Sequence, residues 1–373
     1  MAKYKLDELC EFITDGTHQT PEYCEKEGII FLSSKDVTER KIDWNNVKYI
    51  PVSLHEKLCK RLKPRKNDIL LAKNGTTGVA AIVDRDEFFD VYVSLAVLRP
   101  LDNIYPRYLL YAINSPVAKK QFDAGLKGIG VPNLHLGVIR ETVVNIVPRN
   151  EQEKICEILD RVENVINERK QELIALDNLI KGRFVEMFGS IHESTEYPYV
   201  AVKDLTDVIS GGTPSRDKAE YWEGGTIPWV KTTELQNNNI VNTDEYITEA
   251  GLNGSSAKLV PVGTVLVAMY GQGKTRGMTA YLNIEACTNQ ACACILPSDR
   301  IDSMFMWKFF ELSYEKLRSL AQGAGQPNLN GNMIKNFQVL VPPIEQQKEY
   351  VDFVGQIDKS KVAVQKALEE TQL

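Results

Sequence analysis

One short stretch of this sequence has residue types that could bind a nucleotide phosphate. It is Ala268-Met-Tyr-Gly-Gln-Gly-Lys-Thr275, which ends in the Gly-Lys-Thr of a phosphate-binding loop. That loop needs glycine at its first position, where this chain has alanine, and it leads into a helix. Here Met278-Thr-Ala-Tyr-Leu282 follows, which is typical of a strand. The sequence therefore predicts a β-hairpin tip at this place rather than a nucleotide site.

Other residues with catalytic or metal-binding chemistry are scattered along the chain. Val341-Pro-Pro-Ile344 resembles the Asn/Asp-Pro-Pro-aromatic motif of amino-methyltransferases, but it lacks both the amide and the aromatic residue. The four histidines, at positions 18, 55, 135 and 192, have no triad or metal-pair spacing. The seven cysteines follow no zinc spacing, and free thiols are expected. We therefore expect no catalytic and no metal site.

The sequence contains one passage twice. Gly130-Val-Pro-Asn-Leu-His-Leu-Gly-Val-Ile139 is followed by Val147-Pro-Arg-Asn-Glu-Gln-Glu-Lys154. About 195 residues later, Gly325-Gln-Pro-Asn-Leu-Asn-Gly-Asn-Met-Ile334 is followed by Val341-Pro-Pro-Ile-Glu-Gln-Gln-Lys348. Upstream of these passages, short segments of small and apolar residues also match between the copies at nearly the same separation along the chain. They are Gly16-Thr17 with Gly212-Thr213, Phe31–Val37 with Trp229–Leu235, and Ile69–Gly75 with Val265–Gly271. We infer a tandem duplication of one domain.

Composition agrees with two domains of this size. The 373 residues are enough for two or three domains, and 43% hydrophobic with 25% charged residues is typical of a soluble globular protein. No apolar run reaches the roughly 18 residues of a membrane span, and the first residues lack a signal-peptide core. We expect a cytoplasmic protein that does not enter a membrane.

Each copy ends in a segment typical of a long helix. No proline occurs from Glu151 to Phe188, and apolar residues alternate at spacings of three and four, with Arg169 interrupting them. The second copy repeats this pattern from Glu345, with Lys361 as the misfit. The predicted seam residues are Ile155, Leu159, Val162, Ile166, Leu173, Leu176, Ile180, Tyr350, Val354, Ile357, Val364 and Leu368. We predict that the two helices pair as an antiparallel coiled coil; the alternative is that each docks separately on its own domain.

The complete layout resembles the specificity (S) subunit of Type I restriction–modification enzymes. The resemblance rests on a globular unit, the Pro-Asn-Leu passage and Pro-x-x-Glu-Gln leading into a long helix, all of which occur twice. It implies an α/β (α+β) fold with two target recognition domains separated by two long helices. The implied ranges are 1–149 and 189–343 for the recognition domains, and 150–188 and 344–373 for the central and C-terminal spacer helices. The second helix is shorter than the first, so the resemblance does not determine the far end of the coiled coil or any M-subunit contact there.

The resemblance also implies function and partners. A subunit of this family reads a bipartite, asymmetric site in double-stranded DNA and is not itself an enzyme. Its helices dock two methyltransferase (M) subunits, and restriction (R) subunits join through them. S-adenosylmethionine and ATP with Mg²⁺ are then expected on the partner subunits, with no cofactor bound by this chain.

Base readout needs polar groups presented by loops at base edges. Polar loop tips occur at equivalent places in both copies, and their sequences diverge while the flanking apolar anchors persist. The alternative is that these loops differ only because surface loops vary. The candidates are Thr17, His18, Gln19, Ser33, Ser34, Lys35, Lys73, Asn74, Thr76 and Thr77 in copy one, and Thr213, Ser215, Arg216, Lys231, Thr232, Thr233, Tyr270, Gln272, Lys274 and Arg276 in copy two. Asn133 and Asn328 are predicted as N-caps of short helices, with DNA contact as the alternative.

A net charge of −6 is unusual for a DNA-binding protein, but the predicted helices hold most of it. Residues 151–188 carry nine acidic and six basic side chains, and residues 345–373 carry six and four. A basic set remains in copy one, which is either a phosphate-binding face or an ordinary solvated surface: Lys57, Lys60, Arg61, Lys63, Arg65 and Lys66. Two other functions stay open, a protein-binding scaffold and an enzyme, either nucleotide-dependent or a self-contained DNA-modification enzyme.

Overall fold

The computed structural model of the protein describes residues 2–25, 27–126, 132–271, 273–321 and 328–372. The chain forms two compact units, Met1–Val165 and Ile166–Leu373. Each unit mixes strands and helices, as the predicted fold class requires. A helix able to cross a membrane is not found in any of the described ranges.

Unit 1 combines many short strands with α-helices. In its described part the strands are β1 (Ala2–Lys5), β2 (Cys10–Asp15), β3 (Ile29–Leu32), β4 (Val37–Thr38), β5 (Lys41–Ile42), β6 (Lys48–Ile50), β7 (Ile69–Ala72), β8 (Ala80–Ile82), β9 (Phe89–Val91), β10 (Leu95–Pro100) and β11 (Val143–Ile146). The α-helices are α1 (Val52–Leu58), α2 (Pro106–Ile113), α3 (Pro116–Ala124) and α4 (Leu136–Glu141), and α5 (Arg149–Phe188) begins in this unit. Short 3-10 helices occur at Leu6–Leu9 and Ser34–Asp36.

The central sheet of unit 1 is antiparallel, in the order β2-β10-β7-β8. Both of its faces are covered. Ile69 and Leu71 belong to the core under the helices, whereas Leu70 belongs to a second core with Trp44 and Phe89. Successive strand residues point to opposite faces, so a strand buried on both sides must be apolar throughout. This explains the continuous apolar run of β7. A second sheet, β6-β3-β9, pairs β3 with β9 in parallel.

Unit 2 contains a similar set of elements. Its described strands are β12 (Tyr199–Ala201), β13 (Val208–Ser210), β14 (Ile227–Val230), β15 (Asn238–Ile240), β16 (Tyr246–Ile247), β17 (Val265–Ala268), β18 (Thr279–Leu282), β19 (Cys287–Thr288), β20 (Cys292–Ile295) and β21 (Gln338–Leu340). Its α-helices are α6 (Val202–Leu205), α7 (Glu249–Asn253), α8 (Ser303–Leu312), α9 (Tyr314–Ser319), α10 (Gly331–Lys335) and α11 (Ile344–Gln372), with the final part of α5. Short 3-10 helices occur at Ala219–Tyr221 and Thr232–Glu234.

The sheets of unit 2 repeat the topology of unit 1. The order β13-β20-β17-β18 matches β2-β10-β7-β8, and β16-β14-β19 matches β6-β3-β9, including the parallel pair. A fifth strand, β15, adds to the central sheet in parallel with β18. Val265 and Val267 again face one core while Leu266 faces another. The predicted duplication is therefore a duplication of topology. By strand register, Gly211 occupies the position in unit 2 that Gly16 occupies in unit 1. The sequence alignment had matched Gly16 with Gly212, one residue away.

The repeated Glu-Gln of the two passages performs the same structural task in both units. Gln152 is buried; its side-chain oxygen accepts a hydrogen bond from the Tyr105 backbone N–H, and its amide donates to the carbonyl of Val147. Gln347 is equally buried and accepts a hydrogen bond from the backbone N–H of Asp302. Tyr105 and Asp302 are the N-cap residues of α2 and α8, whose first N–H groups lack helical partners. Each glutamine therefore anchors the start of a long helix to its own domain.

The end of α5 and the start of α11 run antiparallel in unit 2. Arg183 pairs with Glu349 at 2.7 Å, and Asp177 pairs with Lys361 at 2.6 Å. Residue numbers therefore fall along one helix as they rise along the other, which confirms the predicted direction of pairing. Lys361, the misfit in the apolar pattern, forms an ion pair between the helices.

Burial along both helices follows the predicted seam. Ile180, Tyr350, Val354, Val364 and Leu368 are buried, and the other predicted seam residues are partly buried. The parts nearest the domains also dock on domain cores, as the alternative interpretation proposed. Ile155 packs against the core of unit 1, while Ile180, Tyr350, Val354 and Ile357 belong to or pack against the core of unit 2. Phe184 and Phe188, which the seam pattern omitted, are fully buried in that second core.

Candidate DNA interface

Polar loops of unit 1 converge at one edge of its central sheet. The loop after β2 meets the loop after β7 where Lys73 Nζ donates to Asp15 Oδ2 at 2.6 Å. The loop after β3 joins them because the Thr76 hydroxyl donates to the carbonyls of Ser34 and Val37. The structure thus brings together the three tips that were predicted from sequence as separate candidates.

Lys73 is the first correction to the predicted contacts. Its side chain is 8% exposed and lies against Asp15, which is 9% exposed, so its ammonium does not face solvent. Burial alone would raise the pKa of Asp15, but the hydrogen bond and charge of Lys73, with a smaller effect of His18, hold that pKa below its usual value. The Asp15 carboxylate is therefore charged at neutral pH. Lys73 therefore joins the two loops, with its ammonium held against Asp15 rather than presented to solvent.

Two further candidates in unit 1 also have structural roles. Ser34 is buried, and its backbone N–H donates to Ser94 Oγ at 3.0 Å. The Thr76 hydroxyl is occupied by the two carbonyls described above, although the residue is exposed. The Ser33 backbone N–H and hydroxyl both bond to the Asp36 carboxylate, which fixes the short 3-10 turn. The turn presents Lys35, which is exposed, at its tip.

The remaining unit 1 candidates lie at the surface of the same loop cluster. Thr17 is held by its backbone, since its N–H donates to the carbonyl of Val91. His18 and Gln19 follow it and are exposed. The other half-buried or exposed candidates of this cluster are Ser33, Asn74 and Thr77.

The basic set of copy one borders this cluster. All six of its cations are exposed. Arg61 connects the set to the loop after β2, because its Nη2 donates to the backbone carbonyls of Asp15 and Gly16 at 2.7 Å. Arg65 lies 3.7 Å from Glu11, whereas Lys57 and Lys60 stand on and just after α1. A positive surface therefore flanks the polar loops, as a phosphate-binding surface would.

In unit 2 an arginine stacked on tryptophan occupies the corresponding edge. The Arg216 guanidinium carbon lies 3.6 Å from the centre of the Trp222 ring and 5.0 Å from that of Trp229. Arg216 and Lys231 both pair with Glu245, at 2.6 and 2.9 Å. Burial alone would raise the pKa of Glu245, but its two cationic partners lower it. A planar cation held by a ring and a carboxylate is pre-oriented for forked hydrogen bonds.

The stretch that resembles a phosphate-binding loop is a hairpin tip. It connects β17 to β18, which pair antiparallel, so no helix follows it and the predicted hairpin is confirmed. Helix α9 braces the tip, since the hydroxyl of Tyr314 donates to the carbonyl of Lys274 and Arg318 donates to the carbonyl of Arg276. Tyr270 and Lys274 are exposed there. Gln272 lies outside the described residues.

The other unit 2 candidates line the loops after β13 and β14. The hydroxyl of Thr213 bonds to Gln290, and Ser215 is exposed while its carbonyl accepts from Trp222. Lys231 begins a short 3-10 turn in which its backbone N–H bonds to Glu234. The turn contains Thr232 and Thr233, which are half-buried and exposed.

The Pro-Asn-Leu passage of each copy bonds to one of the polar loops, the loop after β7 in copy one and the loop after β17 in copy two. Leu134 N–H donates to the carbonyl of Lys73, and Leu329 N–H donates to that of Met269, its counterpart in copy two. Both leucines are buried. The predicted N-caps were wrong: His135 and Asn330 occupy those positions, and the Asn330 side chain accepts from Met333 N–H. Residues 130–131 and 325–327 of the two passages lie outside the described residues.

Two features of the site were missed from sequence. Trp222 and Glu245 fix Arg216, but they lie six and 29 positions further along the chain and no spacing rule connects them. In unit 1, His55, Cys59 and Asp90 bring potential metal-ligating atoms within 4.8 Å of one another. The expectation of no metal site considered the spacing of histidines and of cysteines along the chain, which does not show that strand pairing brings Asp90 next to α1.

Two copies of one scaffold, each with its own set of polar loops at the same edge, define a protein with tandem recognition domains. Comparison with known proteins identifies the family. Residues 1–176 and 195–371 match the model of the Type I restriction modification DNA specificity domain. Since this match covers most of the chain, the protein belongs to that family.

Relatives agree with this assignment. The specificity subunit of the Type I restriction enzyme EcoR124I/EcoR124II from Escherichia coli is 24% identical over 56% of this chain and 52% of its own length. The putative Type I restriction enzyme MjaX specificity subunit from Methanocaldococcus jannaschii is 22% identical over 97% of this chain and 89% of that protein. The alignment with the Escherichia coli relative thus spans about half of that protein.

A solved structure shows the same fold. The crystal structure of a Type I restriction–modification system S subunit from M. genitalium aligns with a TM-score of 0.57 at 14% identity. The alignment covers 100% of this chain and 92% of that one. At this identity the likeness concerns the fold alone.

Proposed function

We propose that this chain is the DNA sequence-recognition subunit of a Type I restriction–modification complex. It reads a bipartite, asymmetric site in double-stranded DNA and directs the associated subunits to that site. One observation carries the proposal: a duplicated scaffold presents chemically different polar loops at the same sheet edge in both units. A reader of two unlike half-sites needs this combination.

The two sets of loops differ in how they can read bases. In copy one, small polar side chains and exposed Lys35 surround the buried Asp15–Lys73 pair. In copy two, Arg216 offers a forked donor, and arginine commonly makes bidentate contacts to guanine. Different donor and acceptor sets at equivalent places favour different base sequences. The half-sites are therefore expected to be unlike.

The partners proposed for this chain are two M subunits, which dock on its helices, and R subunits that join through them. S-adenosylmethionine and ATP with Mg²⁺ belong to those partners in this proposal, and methylation and cleavage occur on them. The exposed apolar residues Ile174, Leu179 and Val185 of α5 and Val362 of α11 offer surface for protein contact outside the helix seam. The chain itself supplies sequence choice.

A selection experiment tests the proposal. The chain and its M partner are incubated with a library of random duplexes, and the retained DNA is sequenced. We expect enrichment of two short, unlike motifs separated by an unread gap of fixed length. Enrichment of one continuous motif, or retention of DNA without sequence preference, would contradict the proposal. As a control, M protein alone is expected to retain no such motif.

A further inference from the structure

Three side chains with metal-ligating chemistry meet in unit 1. His55 lies on α1 and Cys59 follows one turn later, while Asp90 comes from β9. The His55 Nδ1 and Asp90 Oδ2 atoms are 2.6 Å apart, and Cys59 Sγ is 3.3 Å from His55 Nε2. One ligand atom from each residue lies within 4.8 Å of the others.

Burial makes this cluster unlike an ordinary surface group. The side chains of Asp90 and His55 are 4% and 13% exposed, and the Phe88 ring lies 5.9 Å from the imidazole. In the described part of the chain, the side chain hydrogen-bonded to the Asp90 carboxyl is His55, and no lysine or arginine pairs with it. A buried carboxylate in this setting gains from an added cation.

We propose that His55, Cys59 and Asp90 form a binding site for a divalent transition-metal ion of the zinc class. Nitrogen, sulfur and oxygen donors together suit Zn²⁺ rather than Mg²⁺ or Ca²⁺, which prefer oxygen alone. Zinc bonds of about 2.0–2.3 Å place tetrahedral ligands roughly 3.3–3.8 Å apart, so the cluster needs only side-chain adjustments. The ion replaces the His55–Asp90 hydrogen bond, and the proton of that bond moves to His55 Nε2 or leaves to solvent. Binding also releases the Cys59 thiol proton to solvent. Water completes the fourth position.

The position of the site gives the ion a structural task. Helix α1 carries Lys57, and Lys60 and Arg61 follow it. Arg61 bonds to the loop after β2, and Thr17 of that loop bonds to Val91, which is next to Asp90. A metal ion joining α1 to β9 therefore fixes the basic segment beside the loops of copy one. This consequence for DNA reading rests on the proposed function, whereas metal binding itself does not.

Copy two provides an internal comparison. Asp90 pairs with Phe31 in β3, and Cys287 pairs with Trp229 in β14. Because Phe31 and Trp229 are equivalent positions of the two copies, Cys287 is the counterpart of Asp90. The corresponding helix α7, with the sequence Glu-Ala-Gly-Leu-Asn, contains neither histidine nor cysteine. The three ligands are therefore a property of copy one. Any effect of the ion on reading is expected in one half-site only.

Cobalt titration tests the site directly. The full-length protein is treated with chelator, desalted and titrated with Co²⁺ as a spectroscopic substitute for Zn²⁺. We expect a thiolate-to-cobalt absorption band that saturates near one equivalent and disappears when Zn²⁺ is added. Cys59→Ser should abolish the band, and His55→Ala should weaken binding at least about tenfold. Cys24→Ser, which changes an exposed cysteine of the same unit, is the matched control and should leave the band unchanged.

The result that would overturn the site is a chelated wild-type protein that shows no thiolate band, or a band that persists in Cys59→Ser. Thermal unfolding gives a second readout that does not depend on DNA. Zn²⁺ at about a hundredfold excess over its Kd should raise the Tm by about 5 °C or more, and this rise should be lost in Cys59→Ser.

A DNA-binding comparison then tests the consequence for reading. With the M partner present, chelation should reduce discrimination at one half-site and leave the other unchanged. A normal cobalt band with unchanged discrimination at both half-sites would overturn the link between the ion and reading. Loss of all sequence preference in the metal-loaded wild type would instead contradict the proposed function, so the two failures are distinguishable.

Discussion

Lys73 Nζ lies 2.6 Å from Asp15 Oδ2, and this buried pair joins two loops whose residues are far apart in sequence. By strand register, Ser210 is the copy-two counterpart of Asp15, and Met269 is the counterpart of Lys73. The same scaffold position is therefore ionic in one copy and uncharged in the other. Within copy one an ion pair joins the two loops, whereas within copy two the equivalent residues are uncharged. This difference helps the loop surfaces of the two copies to differ.

Lys73→Met should destabilise unit 1 strongly. The substitution leaves the Asp15 carboxylate buried without its cation, which typically costs about 3–5 kcal/mol. The double variant Asp15→Ser/Lys73→Met reproduces the copy-two pair and should recover most of that loss. Urea unfolding midpoints of the single and double variants measure the effect. A double variant no more stable than Lys73→Met would show that the ion pair is not the source of the loss.

The same pair predicts a pH dependence. The pKa of Asp15 is below its ordinary value of 3.8 in the folded protein, so its contribution to stability is present above that ordinary value. The contribution is lost as the pH falls through the lowered folded pKa. In Lys73→Met burial is no longer offset, so the pKa of Asp15 should rise above its ordinary value. The stability difference between wild type and Lys73→Met should therefore be largest near neutrality and shrink progressively in acid, as the pH falls through and below 3.8. Urea unfolding across this range measures it, and an equal difference at all pH values would contradict the assignment.

Arg216→Lys should weaken reading of one half-site. Lysine keeps the charge but loses the forked donor and the planar stack on Trp222, and a bidentate base contact contributes about 1–3 kcal/mol of discrimination. Competition binding with matched and mismatched duplexes measures this difference. Arg300→Lys is the control, because Arg300 is an exposed arginine of the same unit that bonds to the Asp204 carbonyl. An equal loss of discrimination in Arg216→Lys and Arg300→Lys would show that Arg216 does not read a base.

Exchange of residues 196–340 for those of a relative with another target should change one half-site alone. The exchanged range holds the copy-two loops and leaves the copy-one loops and the whole of α5 in place. The modified sequence can be read by methylation of a plasmid library. A change in both half-sites would show that the two domains do not read independently.

Much of the fold was predictable because its signals are local or repeated. The hairpin at residues 268–279 follows from the strand-like residues after Lys274, and the helix seam follows from its spacing. The contacts that fix the site were not predictable in this way. Asp15 and Lys73 are brought together by the sheet order β2-β10-β7, and Asp90 reaches α1 through the parallel pairing of β3 with β9. In the sequence alone, a loop lysine whose carboxylate partner is far along the chain cannot be distinguished from an exposed lysine.

Helix α5 is proposed to set the gap between the half-sites, because it runs without interruption from one unit into the other. Four residues inserted after Asn167 add about one turn, or roughly 6 Å, and should lengthen the unread gap by about one or two base pairs. The insertion lies upstream of the Asp177–Lys361 and Arg183–Glu349 pairs and leaves them intact. Two inserted residues rotate the seam by roughly 200° and should abolish assembly. An active four-residue variant with an unchanged gap would rule out this role.

Two unlike domains are proposed to read two unlike half-sites. Methylation sequencing of a host that carries this protein with its M partner tests it most directly, because every modified site in the genome is then observed at once. We expect one asymmetric motif made of two short, different sequences around a gap of constant length. A single continuous palindromic motif at the modified sites would contradict it.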